Sequence, residues 1–220
     1  MHGNLLFVGL LMVVAATTNA EELPVVFQED FEKGADRWEP TDAAAWKIEV
    51  VGDNSVYSQF KKQSKYKPPH RSPYNIALIR GVNVGDFVLT ARVRSTHPDY
   101  GHRDVCLFFG YQDAAHFHYV HLGKKADAHA NQIFIVNKAP RTKISITTTK
   151  GTNWDDQWHR VKIIRTAQDG KIEVYFDDMK KPVMTAKDIT FQWGRVGLGS
   201  FDDTGHWDDI VLRGELVKKP

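Results

Sequence analysis

The sequence predicts an all-β protein in which two antiparallel sheets pack face to face as a jelly-roll sandwich. Three observations support this fold class. Short segments alternate apolar and polar residues with the two-residue period of a β-strand, helical periodicity is nearly absent, and turn-forming residues separate the segments. Many short strands at this spacing are typical of a sandwich with a single core between its sheets.

Alternation is clearest in the segment DFVLTARVRS, residues 86–95. Apolar residues occupy positions 87, 89, 91 and 93, which share one face of a strand, whereas Arg92 and Arg94 lie on the other face. One face is therefore expected to enter the core while the other is wet and basic. Similar alternation occurs in TKISITTT, HRVKII, KIEVYFDD, GRVGLGSF and WDDIVLRG.

Turn signals separate these predicted strands. Asp169-Gly170 predicts a hairpin between HRVKIIRT and KIEVYFDD, and Lys150-Gly151 closes another run. The stretch at residues 61–73, KKQSKYKPPHRSP, contains three prolines, which fits a loop or a sheet edge. We find no internal repeat and no interdomain linker, so residues 21–220 are expected to form a single domain.

The first 20 residues are expected to be a secretory signal peptide. They carry no Lys, Arg, Asp or Glu, contain an apolar run at residues 5–16 and end in small residues. That run is shorter than the ~20 residues needed to span a bilayer, and no other segment approaches this length. We therefore predict a secreted protein, periplasmic or extracellular, without a membrane span.

The chain contains a single cysteine, Cys106. An intramolecular disulfide is therefore excluded despite the predicted export. The surrounding segment, DVCLFFGY, predicts a strand in which this side chain is a small buried apolar group. A catalytic nucleophile is the alternative interpretation.

Charge is distributed unevenly along the chain although the formal net charge is only +2. Residues 21–59 contain three basic and ten acidic residues, whereas residues 60–145 contain fourteen basic and five acidic residues. Seven of the ten histidines also lie in this central segment. Such a basic block indicates that the middle of the chain faces an anion, the alternative being a solvated basic surface.

The order of these segments resembles a known superfamily. The chain opens with FQEDFEKGADRWEP and AWKIEVVGDNSV, continues with GDFVLTARVRS and LFFGYQDAAHFHYVHL, and closes with WHRVKIIRTAQDGKIEVYFDD, GRVGLGSF and WDDIVLRGEL. Together they resemble the concanavalin A-like lectin/glucanase superfamily, in particular its laminin-G-like and 3-keto-disaccharide hydrolase-like domains of secreted bacterial proteins. The resemblance implies two curved sheets with a glycan on the concave face, but this fold carries lectins, hydrolases and lyases alike.

The segment YQDAAHFHYVHLGKK, residues 111–125, combines three histidines with three aromatic rings. In a strand, His116 and His118 face one side, whereas Phe117, Tyr119 and His121 face the other. The three histidines therefore do not converge on one ion, and a transition-metal site would lack its third ligand. A structural interpretation buries one face in the core and exposes the other.

A third interpretation places the outward face of this strand in a glycan-binding surface. Aromatic faces stack on sugar rings, and Arg and Lys pair with carboxylate or sulfate groups. We therefore predict a polysaccharide or oligosaccharide partner, anionic in character, and no nucleic acid, because no nucleic-acid-binding module is recognisable. The predicted substrate-binding residues are His70, Arg71, Tyr74, Arg92, His102, Lys124 and Lys138.

Whether the protein also cleaves the glycan is left open by the sequence. No glutamate lies between Glu49 and Glu173, which argues against a glutamate-based glucanase mechanism. Elimination beside a uronate carboxylate needs a base, an acid and a cation that neutralises the carboxylate. Candidate catalytic residues for such a lyase are His118, Tyr119, His121, Arg94 and Arg103. A glycoside hydrolase similar to the 3-keto-disaccharide enzymes is the other enzymatic alternative, and no organic cofactor is expected.

The two ends of the domain predict a further site. In folds similar to this one, the first and last strands lie side by side and often hold a structural calcium ion. Calcium prefers several oxygen ligands, so Asp30 and Asp208 are the candidate metal ligands, aided by Glu32 or Asp53. The alternative is that these acids are exposed turn residues.

Overall fold

The computed structural model describes residues 23–219, and the predicted signal peptide at residues 1–20 lies outside them. Within the described residues, sixteen β-strands form two sheets, and the paired strands are antiparallel. A short 3-10 helix, Ala43–Ala45, follows the second strand. The predicted all-β, two-sheet antiparallel sandwich is therefore confirmed. No helix in residues 23–219 has the length and apolar character needed to cross a membrane.

The larger sheet has nine strands and the smaller has seven. The nine-stranded sheet contains, in spatial order, β11 (Ser145–Thr148), β14 (Met184–Lys187), β13 (Lys171–Phe176), β12 (His159–Thr166), β6 (Val84–Ser95), β16 (Gly205–Leu216), β4 (Asn54–Gln59) and β3 (Trp46–Val51), with β1 (Val25–Glu29) also paired to β16. The seven-stranded sheet contains β10 (Thr142–Lys143), β9 (Gln132–Asn137), β8 (His116–Gly123), β7 (Asp104–Asp113), β15 (Arg195–Ser200), β5 (Asn75–Ile79) and β2 (Trp38–Pro40).

The main core lies between the two sheets. The apolar face of β6 that the alternation predicts, at positions 87, 89, 91 and 93, is buried there. It packs with Leu107 and Phe109 of β7 and with Trp207 of β16 in one apolar cluster. Each such large side chain contributes about 1.5–3 kcal/mol through removal of its apolar surface from water.

The predicted hairpin at Asp169-Gly170 joins β12 to β13.

A second apolar layer lies on the outer face of the seven-stranded sheet. Phe108 of β7 and Phe117 and Tyr119 of β8 point away from the main core and are nevertheless fully buried. They are covered by residues 60–74, which connect β4 to β5 and are called the covering loop below. Tyr66 and Tyr74 of this loop pack against the layer. The sequence predicts a loop or a sheet edge for the proline-rich segment. It is a loop, and it covers the outer face of the seven-stranded sheet.

His118 lies on the inner side of β8 and is fully buried. Its ring stacks on Phe109, and its Nε2 atom lies 2.8 Å from Oδ1 of Asp188. Burial lowers the pKa of His118, and nearby Arg165 adds to that shift. Burial acts to raise the pKa of Asp188, but the hydrogen bonds from His118 and Thr190 outweigh it and lower that pKa to about 2. The pair therefore consists of a neutral imidazole donating to a carboxylate.

This pair predicts a loss of stability in acid. The pKa of Asp188 is 3.8 when unperturbed and about 2 in the folded state, so its contribution is complete above pH 3.8 and is lost as the pH falls toward 2. The lowered pKa of His118 acts in the same direction below its unperturbed value of 6.5. We expect Asp188→Asn to flatten the acid branch of the free energy of unfolding, measured by urea denaturation across this pH range.

The matched control for this experiment is Asp53→Asn, a turn residue at the surface. It should retain the acid branch of the wild-type profile. An Asp188→Asn profile as steep as that of the wild type would show that the acid sensitivity arises elsewhere.

Candidate functional site

The outer face of the seven-stranded sheet carries a cavity of about 290 Å³, called the outer-face cavity below. Strands β7 and β8 form its floor. The covering loop and the segments that follow β6, β8, β9 and β15 form its rim. The residues that line it include Arg71, His102, Asp104, His121, Arg141 and Phe201.

The floor of the cavity follows from strand alternation. Asp104 and Cys106 occupy alternate positions on β7 and therefore share its outer face. His121 of β8 is paired with Cys106 in the antiparallel register, which brings its ring to the same face. All three side chains are buried, with exposed fractions of 1%, 0% and 5% in this order. Because β7 and β8 both lie inside the sheet, these positions are held by strands on either side.

Two arginines supply positive charge at the rim. The guanidinium carbon of Arg141 lies 4.3 Å from the centre of the Phe201 ring, and that of Arg71 lies 5.7 Å from the same ring. Arg141 also donates from Nη1 to the hydroxyl of Tyr119 at 2.9 Å. Within residues 23–219, neither arginine has a carboxylate oxygen within 4.0 Å. Their charge is therefore available to a ligand in the cavity.

The carboxylates of Asp104 and Asp203 lie close together beneath the rim, and the pKa of one is lowered while that of the other is raised. Asp203 accepts the backbone N–H of Asp104 at 2.9 Å and the hydroxyl of Tyr100 at 2.8 Å. Burial and the nearby Asp104 raise the pKa of Asp203 to about 7. Burial alone would also raise the pKa of Asp104, but His121 outweighs it and the pKa is lowered. Asp104 is therefore the charged member of the pair at neutral pH.

His121 has buried polar atoms without hydrogen-bond partners. Its Nε2 atom lies 3.1 Å from Oδ2 of Asp104, but the geometry is not that of a hydrogen bond, and Nδ1 has no partner among the described residues. Buried polar atoms in native proteins are nearly always paired. An imidazole that contacts Asp104 but makes no hydrogen bond, on the floor of a cavity, is therefore a group that can bind a ligand.

A second cavity of about 420 Å³ adjoins the first. It shares Lys62 and Asp202 with the outer-face cavity, and its wall also contains Lys67 and Tyr74. The covering loop contributes lining residues to both cavities, among them Lys62, Lys67 and Arg71.

Several residues that the sequence predicts for the site meet here. His121, Arg71 and His102 line the outer-face cavity, and Tyr74 lines the adjoining one. Tyr119 lies below the rim, where burial raises the pKa of its hydroxyl well above 10 and Arg141 covers it. The side chains of β8 that face outward, beneath the covering loop, are Phe117, Tyr119 and His121.

Two predicted residues, Arg92 and Arg94, lie elsewhere. They belong to the outer face of the nine-stranded sheet, where their guanidinium carbons lie 4.9 and 5.9 Å from the ring centre of Trp158. The main core separates this face from the outer-face cavity. Placing these arginines beside His121 was therefore wrong. Alternation identifies a basic face of β6, but it does not identify the sheet that contains β6.

The candidate catalytic residues do not form one site. Arg103 is 2% exposed and its guanidinium binds Ser95 and Asp156. His118 faces the opposite side of β8 from His121, and Arg94 lies on the other sheet. The predicted set of base, acid and neutralising cation is thus divided among three places, which corrects the lyase arrangement that the sequence suggested.

Three predicted binding residues lie outside the walls of the outer-face cavity. His70 belongs to the covering loop, and its carbonyl accepts the hydroxyl of Ser72. Lys124 pairs with Asp99. Lys138 lies in the β9–β10 connection, at the end of the sheet opposite to His121. All three residues lie in loops or turns, where strand periodicity does not predict the direction of a side chain.

The predicted calcium ligands also occupy separate surroundings. Asp30 is exposed and accepts the backbone N–H of Glu32, whereas Asp208 is buried and accepts a hydrogen bond from Asn54 at 2.9 Å. Burial raises the pKa of Asp208. Among the described residues, the clusters of three or more His, Cys, Asp or Glu ligand atoms within 4.8 Å do not include either residue. A calcium ion at the termini stays a prediction.

Sequence reasoning missed several residues of the cavity. Arg141 lies in the connection between β9 and β10, and Phe201 and Asp202 directly follow β15. Their segments, APRTK and SFDD, read as ordinary turns. The strand before Phe201 and Asp202 is glycine-rich, and a Cβ atom at Gly199 would lie 1.9 Å from the carbonyl oxygen of Asn75, so β15 approaches β5 closely just before this turn.

No protein-family model and no curated protein sequence matches the chain. Solved structures do. The fold is similar to the carbohydrate-binding module CBM66 from Bacillus subtilis, with a TM-score of 0.58, 14% identity, and coverage of 81% of this chain and 96% of that chain. The fold is also similar to domain 4 of AbnA, a GH43 extracellular arabinanase from Geobacillus stearothermophilus, in complex with arabinotriose. That comparison has a TM-score of 0.59 at 10% identity and covers 90% of this chain and 96% of that chain.

A plant lectin has the same architecture. The metal-free form of lectin I-B4 from Griffonia simplicifolia gives a TM-score of 0.53 at 10% identity, covering 85% of this chain and 97% of that chain. Identities this low show the fold alone. The chain therefore has the lectin-like, concanavalin A-like sandwich fold, whereas the laminin-G-like or 3-keto-disaccharide hydrolase-like subdivision stays a prediction.

Proposed function

We propose that the protein binds a glycan carrying carboxylate or sulfate groups in the outer-face cavity. The observation that carries this proposal is the pair Arg71 and Arg141, which lie at one aromatic ring without a carboxylate partner among the described residues. Arginine presents parallel N–H donors that match the two oxygens of a carboxylate or sulfate. An anion between these side chains would supply the missing counter-charge.

The other walls suit a sugar ring. Glycan hydroxyls donate and accept hydrogen bonds, and the cavity offers Asp104 and Asp202 as acceptors and His102 and His121 as groups with ring nitrogens. Tyr100 is 37% exposed at the rim and offers an aromatic face for stacking. A volume near 290 Å³ is at the lower end of ligand sites, which suits one sugar unit in the cavity and further units outside it.

The structural neighbours add support of a general kind. One is named as a carbohydrate-binding module and another is a domain of an arabinanase in complex with arabinotriose. They support carbohydrate binding as the class of function. The anionic character of the ligand rests on the arginines of this chain, Arg71 and Arg141.

We expect Arg141→Gln to weaken binding of an anionic glycan by roughly 10- to 100-fold, since a hydrogen bond to a charged group contributes about 1.5–3 kcal/mol. Arg71→Gln should weaken it in the same direction. Affinity electrophoresis in gels containing polygalacturonate or chondroitin sulfate measures the effect, with dextran and arabinan as neutral glycans. Circular dichroism establishes that each variant is folded.

The matched control is Arg94→Gln, which removes the same charge from the outer face of the other sheet. It should bind like the wild type. Equal losses in Arg94→Gln and Arg141→Gln would contradict the location of the site. Retarded migration only with arabinan or dextran would contradict the anionic ligand while leaving carbohydrate binding in place.

The geometry favours binding over cleavage. An eliminating enzyme needs an acid that protonates the leaving oxygen, and Tyr119 was the candidate for that role. Burial raises the pKa of its hydroxyl well above 10, and the hydroxyl accepts a hydrogen bond from Arg141. We therefore assign Tyr119 the role of orienting Arg141.

Tyr119→Phe tests this role. It removes one buried hydrogen bond, so we expect the free energy of unfolding to fall by about 1 kcal/mol and the affinity for polygalacturonate to fall less than in Arg141→Gln. Urea denaturation and affinity electrophoresis measure the two effects, and Tyr175→Phe on the other sheet is the control. Ultraviolet absorbance from an unsaturated sugar product, abolished by Tyr119→Phe, would instead establish a lyase.

A further inference from the structure

We propose that Asp104, Cys106 and His121 form a binding site for a divalent transition-metal ion, with zinc as the best match. Asp104 and His121 line the outer-face cavity, and Cys106 is fully buried beside them. The proposed metal site is separate from the calcium site predicted at the termini and involves none of those residues. It is also independent of the glycan proposal, because it can be tested with the metal alone.

The backbone brings the three ligands together without rearrangement. Asp104 and Cys106 are two residues apart on β7, and His121 is the cross-strand partner of Cys106 on β8. One ligand atom of each residue lies within 4.8 Å of one atom of the other two. A ligand set held on adjacent interior strands is rigid, which lowers the entropic cost of binding an ion.

The distances match a tetrahedral zinc site. With zinc bonds of about 2.0 Å to oxygen and nitrogen and 2.3 Å to sulfur, tetrahedral angles separate oxygen from nitrogen by about 3.3 Å and oxygen from sulfur by about 3.5 Å. Oδ2 of Asp104 lies 3.1 Å from Nε2 of His121 and 3.4 Å from Sγ of Cys106. These two separations are within a few tenths of an ångström of the tetrahedral values, and the ligand atoms of the third pair, Cys106 and His121, lie within 4.8 Å of each other.

The unpaired imidazole is the second, independent observation. His121 is 95% buried, lines the cavity, and has no hydrogen-bond partner on either ring nitrogen within residues 23–219. Buried polar atoms without a partner require an explanation. Coordination of an ion by Nε2 would give this imidazole the partner that it lacks.

The chemistry of the ligands selects the class of ion. When zinc binds, the Cys106 thiol loses its proton to solvent and a zinc–sulfur bond forms, so thiolate and carboxylate together carry the two negative charges that neutralise the dication. Calcium does not favour sulfur or nitrogen ligands. The arginines at the rim oppose a cation, which makes this full neutralisation necessary.

The surroundings of the ligands support coordination. The backbone N–H of Phe201 donates to Oδ2 of Asp104 and orients that carboxylate, and Asp203 holds the backbone of Asp104 by accepting its N–H. Three protein ligands leave a fourth position for water or a ligand oxygen. Because Asp104 and His121 line the cavity, this position opens into it.

The test uses the mature chain, stripped with a chelator and titrated with zinc by isothermal calorimetry. We expect one ion per chain, and cobalt in its place should produce thiolate-to-metal charge-transfer absorbance. Cys106→Ser and His121→Gln should each weaken zinc binding by ~100-fold or more, since loss of even an outer-shell partner costs 10- to 100-fold. Cys106→Ser should also abolish the charge-transfer band.

The matched control is His116→Gln, a histidine on the same strand whose ring contacts Asp113 outside the cavity. It should bind zinc like the wild type. Absence of stoichiometric zinc binding by the folded wild-type chain, or wild-type affinity in folded Cys106→Ser, would overturn the proposal. Glycan affinity of the stripped protein is a separate measurement, so failure of one proposal leaves the other unaffected.

Discussion

The burial of both faces of the seven-stranded sheet is the constraint on which the rest of the structure depends. An antiparallel sheet in a sandwich usually buries one face and leaves the other to water. Here Phe108, Phe117 and Tyr119 fill the outer face as well, and the covering loop protects them. The loop lies across the sheet because this apolar surface must be removed from water. The outer-face cavity is the space that the loop leaves uncovered.

This second layer also determines the electrostatics of the site. Among the described residues, arginine side chains at its margin pack on aromatic rings and do not pair with carboxylates, as is the case for Arg141 on Phe201. Burial strengthens the interactions among Asp104, Asp203 and His121, so that the pKa of Asp203 is raised while that of Asp104 is lowered. The outer-face cavity thus has a cationic rim that suits an anionic glycan and, in our proposal, a floor with a compact set of ligands for a metal ion.

Strand periodicity predicted much of this molecule. The inner face of β6, the opposite directions of His118 and His121, and the hairpin at Asp169-Gly170 all follow from local residue patterns. Three residues predicted for the site, His121, Arg71 and His102, line one cavity, and their binding role stays a prediction. Arg92 and Arg94 lie on the other sheet, since two strands with similar basic faces can belong to different sheets.

The amino-acid sequence by itself determined the all-β class, the faces of each strand and the concentration of positive charge in the central segment, because these depend on neighbours along the chain. Only the tertiary structure decided which strands share a sheet and which of their faces lie on the same side of it. Strand order places β7 beside β8 and β15, and so brings Asp104, His121 and Phe201 together from distant segments. Arg141 joins them from a turn, where no periodicity constrains direction, and packing against the aromatic layer sets its position.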